Sequence, residues 1–540
     1  MHRCWNIAEI RGIIFDNIPP DTPWGSHALS QLAATCQHFS EPALDALWRK
    51  QTSFAPLLGC FGDRCSPIEE NLLFNPFEVT GIILPKDWDR VLFYTSRIKF
   101  LDIPQAGNGL SWEVFELLST SVPFKFLMPN LQHLSWNPGE VAWFPFIRLF
   151  LGPRITSIEI TLDQKPSRLA LLPFIAHKYR NRLMNFNIKL EHGEDDDFDE
   201  EPVLGALNAV IDSLLAIQTL YLQFFDGYSM PALARLPNLT SLTIAEVKHS
   251  LRWIDPSHGG FPALQELQLH HVARLSDVRF FLDLLKPDAK LMALGIIASS
   301  YNKESLLEIL SSLEAHCSRT SLSSVIICGS DMPLHGATPA MTGPFLPQTL
   351  SPLLTFPNLT FVGLESHSGF NLDDDFVHRM AISWPQIVHL TLRRTKNNSQ
   401  NPPNSTCTNP SIFSLQSLAK NCPRLEYLSL EFNASVLVDV PPAPPAKLSF
   451  SAALPCLPRP MQMSLETLNV GNSPILSSLA TARFLCSMFA SLKTITVTTA
   501  DSLVMEHRRE WERVSDLIPT IRAIRAEEES YWMSRADEEQ

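Results

Sequence analysis

The sequence predicts an α/β fold: a short N-terminal unit of three helices, then an irregular solenoid with parallel strands inside and helices outside, closed by C-terminal helices. Three observations predict it. An apolar helix signal lies a few residues from Met1, an apolar template recurs along most of the chain, and an amphipathic stretch runs toward Gln540. At 540 residues and 45% hydrophobic composition the chain can bury a large core. A core of that length stays continuous where it grows by repetition.

The first element is "NIAEIRGIIFDNIPP", Asn6 to Pro20. Asn6 and Glu9 stand at capping-box spacing, so a helix is expected from Ile7. Ile7, Ile10, Ile14 and Phe15 form one apolar stripe until Pro19 and Pro20 end it. A second helix signal carries Leu29, Leu32, Ala33 and Cys36 on one face. A third, with Leu44, Leu47 and Trp48, follows "FSEPA" (39–43), where Ser40 and Pro42 suit a helix start. So small a unit usually leans on a partner.

From about residue 90 the pattern changes. "PNLTSLTI" (237–244), "PALQELQL" (262–269), "PNLTFVGL" (357–364), "PQIVHLTL" (385–392) and "PRLEYLSL" (423–430) share a proline followed by apolar residues in the order ΦxxΦxΦ. Looser copies fit at Ile98/Leu101/Ile103, Leu131/Leu134/Trp136, Ile155/Ile158/Ile160, Leu183/Phe186/Ile188, Ile217/Leu220/Leu222, Leu291/Leu294/Ile296, Leu322/Val325/Ile327, Leu465/Leu468/Val470 and Leu492/Ile495/Val497. The total is about fourteen units, roughly 22 to 40 residues apart. The closing Φ-x-Φ has period two and marks a short strand with one buried face. One strand cannot bury that face alone, whereas stacked copies make a parallel sheet with one core. The template resembles the LxxLxL segment of the leucine-rich repeat family, which implies a horseshoe whose concave face is lined by these strands.

The return segments 276–287, 302–317 and 411–422 have helical periodicity, so Leu306, Leu307, Ile309, Leu310 and Leu313 are expected in the core. Three insertions read as loops: the acidic run Glu194–Glu201, the Asn/Ser/Pro-rich Lys396–Pro410 and the Pro-rich Pro441–Pro460. Trp511, Val514, Leu517, Ile518, Ile521 and Ile524 recur at helical spacing, with Pro519 as a break or kink, and suit a cap over the last repeat. The organisation expected is a helical unit at 1–52, a connection at 53–95, repeats at 96–500 and a cap at 501–540.

"IAEIRGIIFDNIPP" and "ALSQLAATCQHFSEPALDALW" resemble, in order, the opening and continuation of the F-box. Ala8 replaces the family's early proline, and "DTPWGSH" (21–27) reads as a lengthened connection between the first two helices. The combination with repeats is similar to F-box proteins of mushroom-forming fungi. The resemblance implies docking on a Skp adaptor and, through it, a cullin-based ubiquitin ligase, with the repeats holding a protein substrate. It implies that Ile7, Ala8, Ile10, Ile14, Phe15, Leu29, Leu32, Cys36, Phe39, Leu44 and Trp48 form the adaptor face or its support. Two alternatives stand beside it: the helices only seal the first repeat, and the chain is a protein-binding scaffold unrelated to ubiquitin.

Reaction machinery is not legible. The sequence has no GxxxxGK[ST], GxSxG or HExxH and no paired CxxC, so no catalysis, cofactor or metal is expected. The adjacent His270 and His271 follow a strand, where neighbours point to opposite faces. A net charge of −13, from 43 basic and 56 acidic residues, disfavours nucleic acid and anionic membrane. Ten scattered cysteines and no signal-like start suggest cytoplasm or nucleus. Candidate partner contacts are the x positions of the Pro-led copies, Thr243, Gln268, Gly363, Thr391 and Ser429, expected to face outward on the concave side.

Overall fold

The computed structural model describes residues 7–67, 77–103, 112–137, 141–163, 165–190, 200–225, 227–247, 260–299, 302–329, 344–366, 369–394, 409–437, 462–497 and 505–538. Asn6, the acidic run up to residue 199, residues 396–408 and Pro441–Pro460 lie outside the described residues. Contacts divide the chain into two compact units: Met1–Phe225 with Leu236–Leu239, and Asp226–Arg235 with Thr240–Gln540.

The first unit opens with α1 (Ala8–Asp16), which starts one residue later than expected; Ile7 is its N-cap and makes no side-chain cap bond. In α2 (Pro23–Thr35) the Thr22 hydroxyl accepts from Gly25 N at 3.1 Å and Pro23 occupies the first turn. "DTPWGSH" is therefore mostly helix, not a longer connection. The third helix, α3 (Gln37–Trp48), begins well before Pro42, which sits inside it. A proline there lacks the N–H that would reach back one turn. The expected start at Ser40 and Pro42 is corrected: Cys36 is extended and holds the N-cap position.

Phe15, Leu29, Ala43 and Ala46 form the core of these helices, with Ile14, Ile18, Leu32, Ala33, Phe39 and Leu47 packed on it. Phe39 meets Phe15 edge to face at 5.7 Å. The alanines let α3 approach closely. Gly25 is buried, and a Cβ there would lie 1.9 Å from the Pro19 carbonyl oxygen, whereas a Cβ on Gly12 would meet nothing within 4 Å. Opposite effects are expected in urea unfolding of the helical unit. Gly25→Ala should cost about 1–3 kcal/mol by overpacking, and Gly12→Ala should gain about 0.5–1 kcal/mol by helix propensity. Equal midpoints for the two variants would contradict this packing.

Among its described residues the first unit has six parallel strands in chain order: β1 (Lys50–Gln51), then, past the antiparallel pair β2 (Cys65–Pro67) and β3 (Phe77–Val79), β4 (Phe100–Ile103), β5 (His133–Trp136), β6 (Ser157–Leu162), β7 (Asn185–Leu190) and β8 (Thr219–Phe225). Among its described residues the second unit has nine: β9 (Ser241–Val247), β10 (Glu266–Val272), β11 (Ala293–Ala298), β12 (Ser324–Gly329), β13 (Phe361–Ser366), β14 (His389–Arg394), β15 (Tyr427–Leu430), β16 (Thr467–Asn469) and β17 (Thr494–Thr496).

Every copy of the template, loose or Pro-led, is one of the strands β4 to β17. Its apolar residues are buried in all copies but the last, where only Leu492 is fully covered and Ile495 and Val497 are half-exposed. The leading Pro-Asn has a use: Asn130, Asn238 and Asn358 donate their side-chain amides to the Ser96, Leu215 and Thr320 carbonyls one repeat back, at 2.6, 3.1 and 2.8 Å. Asn238 and Asn358 are thereby engaged within the fold. β1 was not legible, because Lys-Gln carries no apolar alternation.

Helices Leu275–Asp283, Lys303–His316 and Leu415–Asn421 occupy the expected return segments. Leu306, Ile309, Leu310 and Leu313 are buried, but Leu307 is 39% exposed. One residue past Leu306 the helix has turned about 100°, away from the sheet. β10 runs through His270 and His271, with His271 at φ 48° and a register shift between Leu269 and Val272. The helix Met505–Glu538 continues through Pro519 without a break. It closes the last repeat with Trp511, Val514 and Ile518 buried, while Arg522 and Arg525 donate to the Phe489 and Cys486 carbonyls at the end of helix Ser478–Met488.

Candidate protein-interaction surfaces

Of the residues expected on the adaptor side, Phe15 and Leu29 are core, and Ile14, Leu32 and Phe39 pack against it. Ile10, Cys36, Leu44 and Trp48 are half-buried, and Ile7 and Ala8 are exposed. The structure adds two apolar residues that the sequence reading left out: Ile13, 63% exposed, and Trp24, 71% exposed. Ile13 falls off the Ile7/Ile10/Ile14 stripe, and Trp24 lies in a segment taken as a loop. With Ile7 at 46%, these side chains are left uncovered by a unit whose own core is complete.

The helical unit is tied to the repeats without a free linker. β1 follows α3 and pairs with β4, and the Arg49 carbonyl accepts from Lys99 N and Phe100 N at 2.9 Å. Arg97, beside β4, forms ion pairs with Glu41 (2.6 Å) and Asp45 on α3, Arg49 pairs with Asp16, and Trp48 stacks on Tyr94 at 4.4 Å. Another segment covers core of the repeats near this end. Phe54, Leu57 and Leu58 are buried, and Phe54 packs on Phe150, which packs on Trp136 of β5.

The register aligns the candidate x residues in one row of the second unit: Thr243, Gln268, Gly295, Ile326, Gly363, Thr391, Ser429, Asn469 and Thr496. They lie on the face opposite the core, as the period of two requires. Thr243 and Gln268 are half-exposed, but Gly363, Thr391 and Ser429 are buried, which corrects the expectation that all five offer contacts. The cause is their size beside larger neighbours on the same face. The residues one rung earlier on the strands are Phe361, His389 and Tyr427, and their rings stack face to face at 4.2 Å with planes within 7°. Extending the ΦxxΦxΦ template by the position before its second Φ would have found this ladder.

Burial draws the His389 imidazole below its ordinary value; burial does the same to His270, helped by His271, and to His133, where Glu159 and Asp102 oppose it and Lys50 adds to it. A base with a depressed folded pKa binds protons more readily once unfolded, so its contribution to stability is present above the ordinary value near 6.5 and lost as pH falls below it. The urea midpoint of the second unit is expected to drop between about pH 7.5 and pH 5.5. His389→Phe, which keeps the stack, should flatten that slope, and an unchanged slope would refute the assignment to His389.

Among the described residues no cluster of three or more His, Cys, Asp or Glu could hold a metal ion, and no helix is long and apolar enough to cross a membrane. No protein-family model matches the chain, and no curated protein matches it. Among solved structures, the crystal structure of the Rad7 and Elc1 complex in yeast is similar over 58% of this chain and 81% of the other, at 14% identity and a TM-score of 0.30. A likeness that slight does not bear on function.

Proposed function

We propose that this chain is a non-catalytic substrate receptor of a cullin-based ubiquitin ligase, its three helices docking on a Skp-type adaptor and its repeats binding a protein substrate. The observation that carries the reading is the division of labour at the N-terminus. A unit that only sealed the first repeat would spend its apolar stripe on that seal. Here Phe54 is buried against Phe150 of the repeats, with Leu57 and Leu58 buried beside it in the chain, and Ile7, Ile13 and Trp24 stay open on helices that are pinned in place. Exposed apolar residues, a tryptophan above all, on a rigid small unit fit a partner surface. The order of F-box-like residues in the same helices supports an adaptor as that partner. Ubiquitin transfer would then be promoted by effective concentration, since one chain that carries both the adaptor-docking helices and the substrate-binding repeats keeps a substrate lysine near the loaded enzyme.

The experiment is co-expression with a Skp-type adaptor followed by size-exclusion chromatography, comparing wild type with Ile7→Asp/Ile13→Asp. Both side chains are exposed, and an Asp at Ile7 would be a favourable N-cap, so the variant should fold. A complex present in the wild type and lost in the variant supports the reading. No complex with the wild type would favour a scaffold without a ligase.

A further inference from the structure

The Phe361–His389–Tyr427 ladder is a built surface. Three rings on adjacent strands are held parallel, and one nitrogen of the central imidazole, Nε2, lies 3.1 Å from the Thr391 hydroxyl. The other nitrogen, Nδ1, and the Tyr427 hydroxyl have no hydrogen-bond partner among the described residues. Both residues are half-exposed, so these atoms point to a bonding opportunity the fold does not use. Beside the ladder the same face is apolar where a solvent-facing strand should be polar: Ile326 and Cys328 on β12 and Ile297 on β11 are half-exposed, aligned across the strands. Among the described residues, two cations of these repeats are ion-paired. Arg393 gives Nε and Nη2 to Glu365 at 2.7 and 2.5 Å, and Lys493 is held by Glu466 at 2.6 Å.

We propose that this ladder and its apolar flank dock an extended, uncharged peptide segment of a protein partner. An aliphatic or aromatic side chain of that segment packs on Ile326 and Phe361, and its main-chain groups bond His389 Nδ1 and Tyr427 Oη. Charge argues for the class of occupant: among the described residues, Arg393 on the ladder's face of β14 is neutralised by Glu365, which leaves a phosphate or an acidic cluster no unpaired guanidinium there. The inference deepens the substrate end of the reading above and rests on it only in calling the occupant a substrate.

The test uses the full-length chain and two probes screened in parallel, a short randomised peptide library and a matched library with one fixed phosphoserine. Enrichment of sequences with a central apolar residue from the unmodified library is expected. Ile326→Lys should weaken a selected peptide by at least about tenfold, as loss of an anchor does. Tyr427→Phe and His389→Phe, which keep the stack, should each weaken it by about three- to tenfold, as loss of one hydrogen bond does. Selection of phosphorylated or acidic peptides, no selection at all, or affinities unchanged in the three variants would overturn the proposal. Adaptor binding measured on the same variants separates this failure from failure of the receptor reading: an intact adaptor complex with no ladder-dependent peptide removes only the docking site.

Discussion

Trp511→Ala is expected to cost about 3–5 kcal/mol and to release the C-terminal helix from the last repeats. Trp511 is 1% exposed, meets Phe432 edge to face at 5.8 Å, and gives its indole N–H to the Ser473 carbonyl at 2.9 Å. Truncation removes a fully buried tryptophan side chain and orphans a buried carbonyl. With the helix gone, the Phe489 and Cys486 carbonyls lose Arg522 and Arg525, and the buried Leu485 and Phe489 lose cover. Each repeat is stabilised chiefly by its neighbours, so the damage should fade with distance from that end. Hydrogen exchange is the measurement: protection should fall in 467–496 and 505–520 and hold in 324–366. Uniform loss across the second unit would mean that it unfolds as one block rather than from its end.

The fold was legible because its signal repeats. A single ΦxxΦ pair is weak, yet copies of it from Ile98 to Val497 define the strands, since each buried position must point at the helices. The failures have physical causes. Leu307 sits among four buried neighbours and only the turn of the helix separates it from them. Pro42 reads as a helix start and Pro519 as a break or kink, yet both lie inside helices, so packing outweighs the loss of one backbone bond. The candidate sites were legible only in part. Period two places Thr391 and Ser429 on the open face, but their burial depends on the size of Phe361, His389 and Tyr427 beside them, which a template of apolar positions ignores. Trp24 was missed because Thr22 and Pro23 start a helix where a connection was expected, and that start turns on the Thr22 hydroxyl reaching Gly25 N.

A firm attachment of the three helices to the repeats that follow them is what the proposed receptor mechanism asks of the first unit, and ordinary terms supply it. The ion pairs of Arg97 with Glu41 and Asp45 are worth little where the acids are exposed. The strand pairing of β1 with β4 and the Trp48–Tyr94 stack add hydrogen bonds and buried area that salt does not screen. The attachment should therefore survive high ionic strength even as those ion pairs weaken.

Phe15→Ala should also cost about 3–5 kcal/mol, and here the whole of the helical unit is at stake. Its core is Phe15, Leu29, Ala43 and Ala46, two of which are alanines, so Phe15 carries much of the buried area. A unit this small has about 3–5 kcal/mol to lose. Amide protection across 8–48 should collapse while that of 133–190 persists, because among the described residues β1 is the one strand the helical unit lends to the sheet. Ile13→Asp alters a side chain 63% exposed and should shift stability by no more than about 0.5 kcal/mol. The two variants thus separate the roles of neighbouring residues. If both abolish adaptor binding and only Phe15→Ala unfolds the helices, Ile13 belongs to the docking face and Phe15 to its support. If Ile13→Asp binds as wild type does, the exposed face of α1 is not where the adaptor sits.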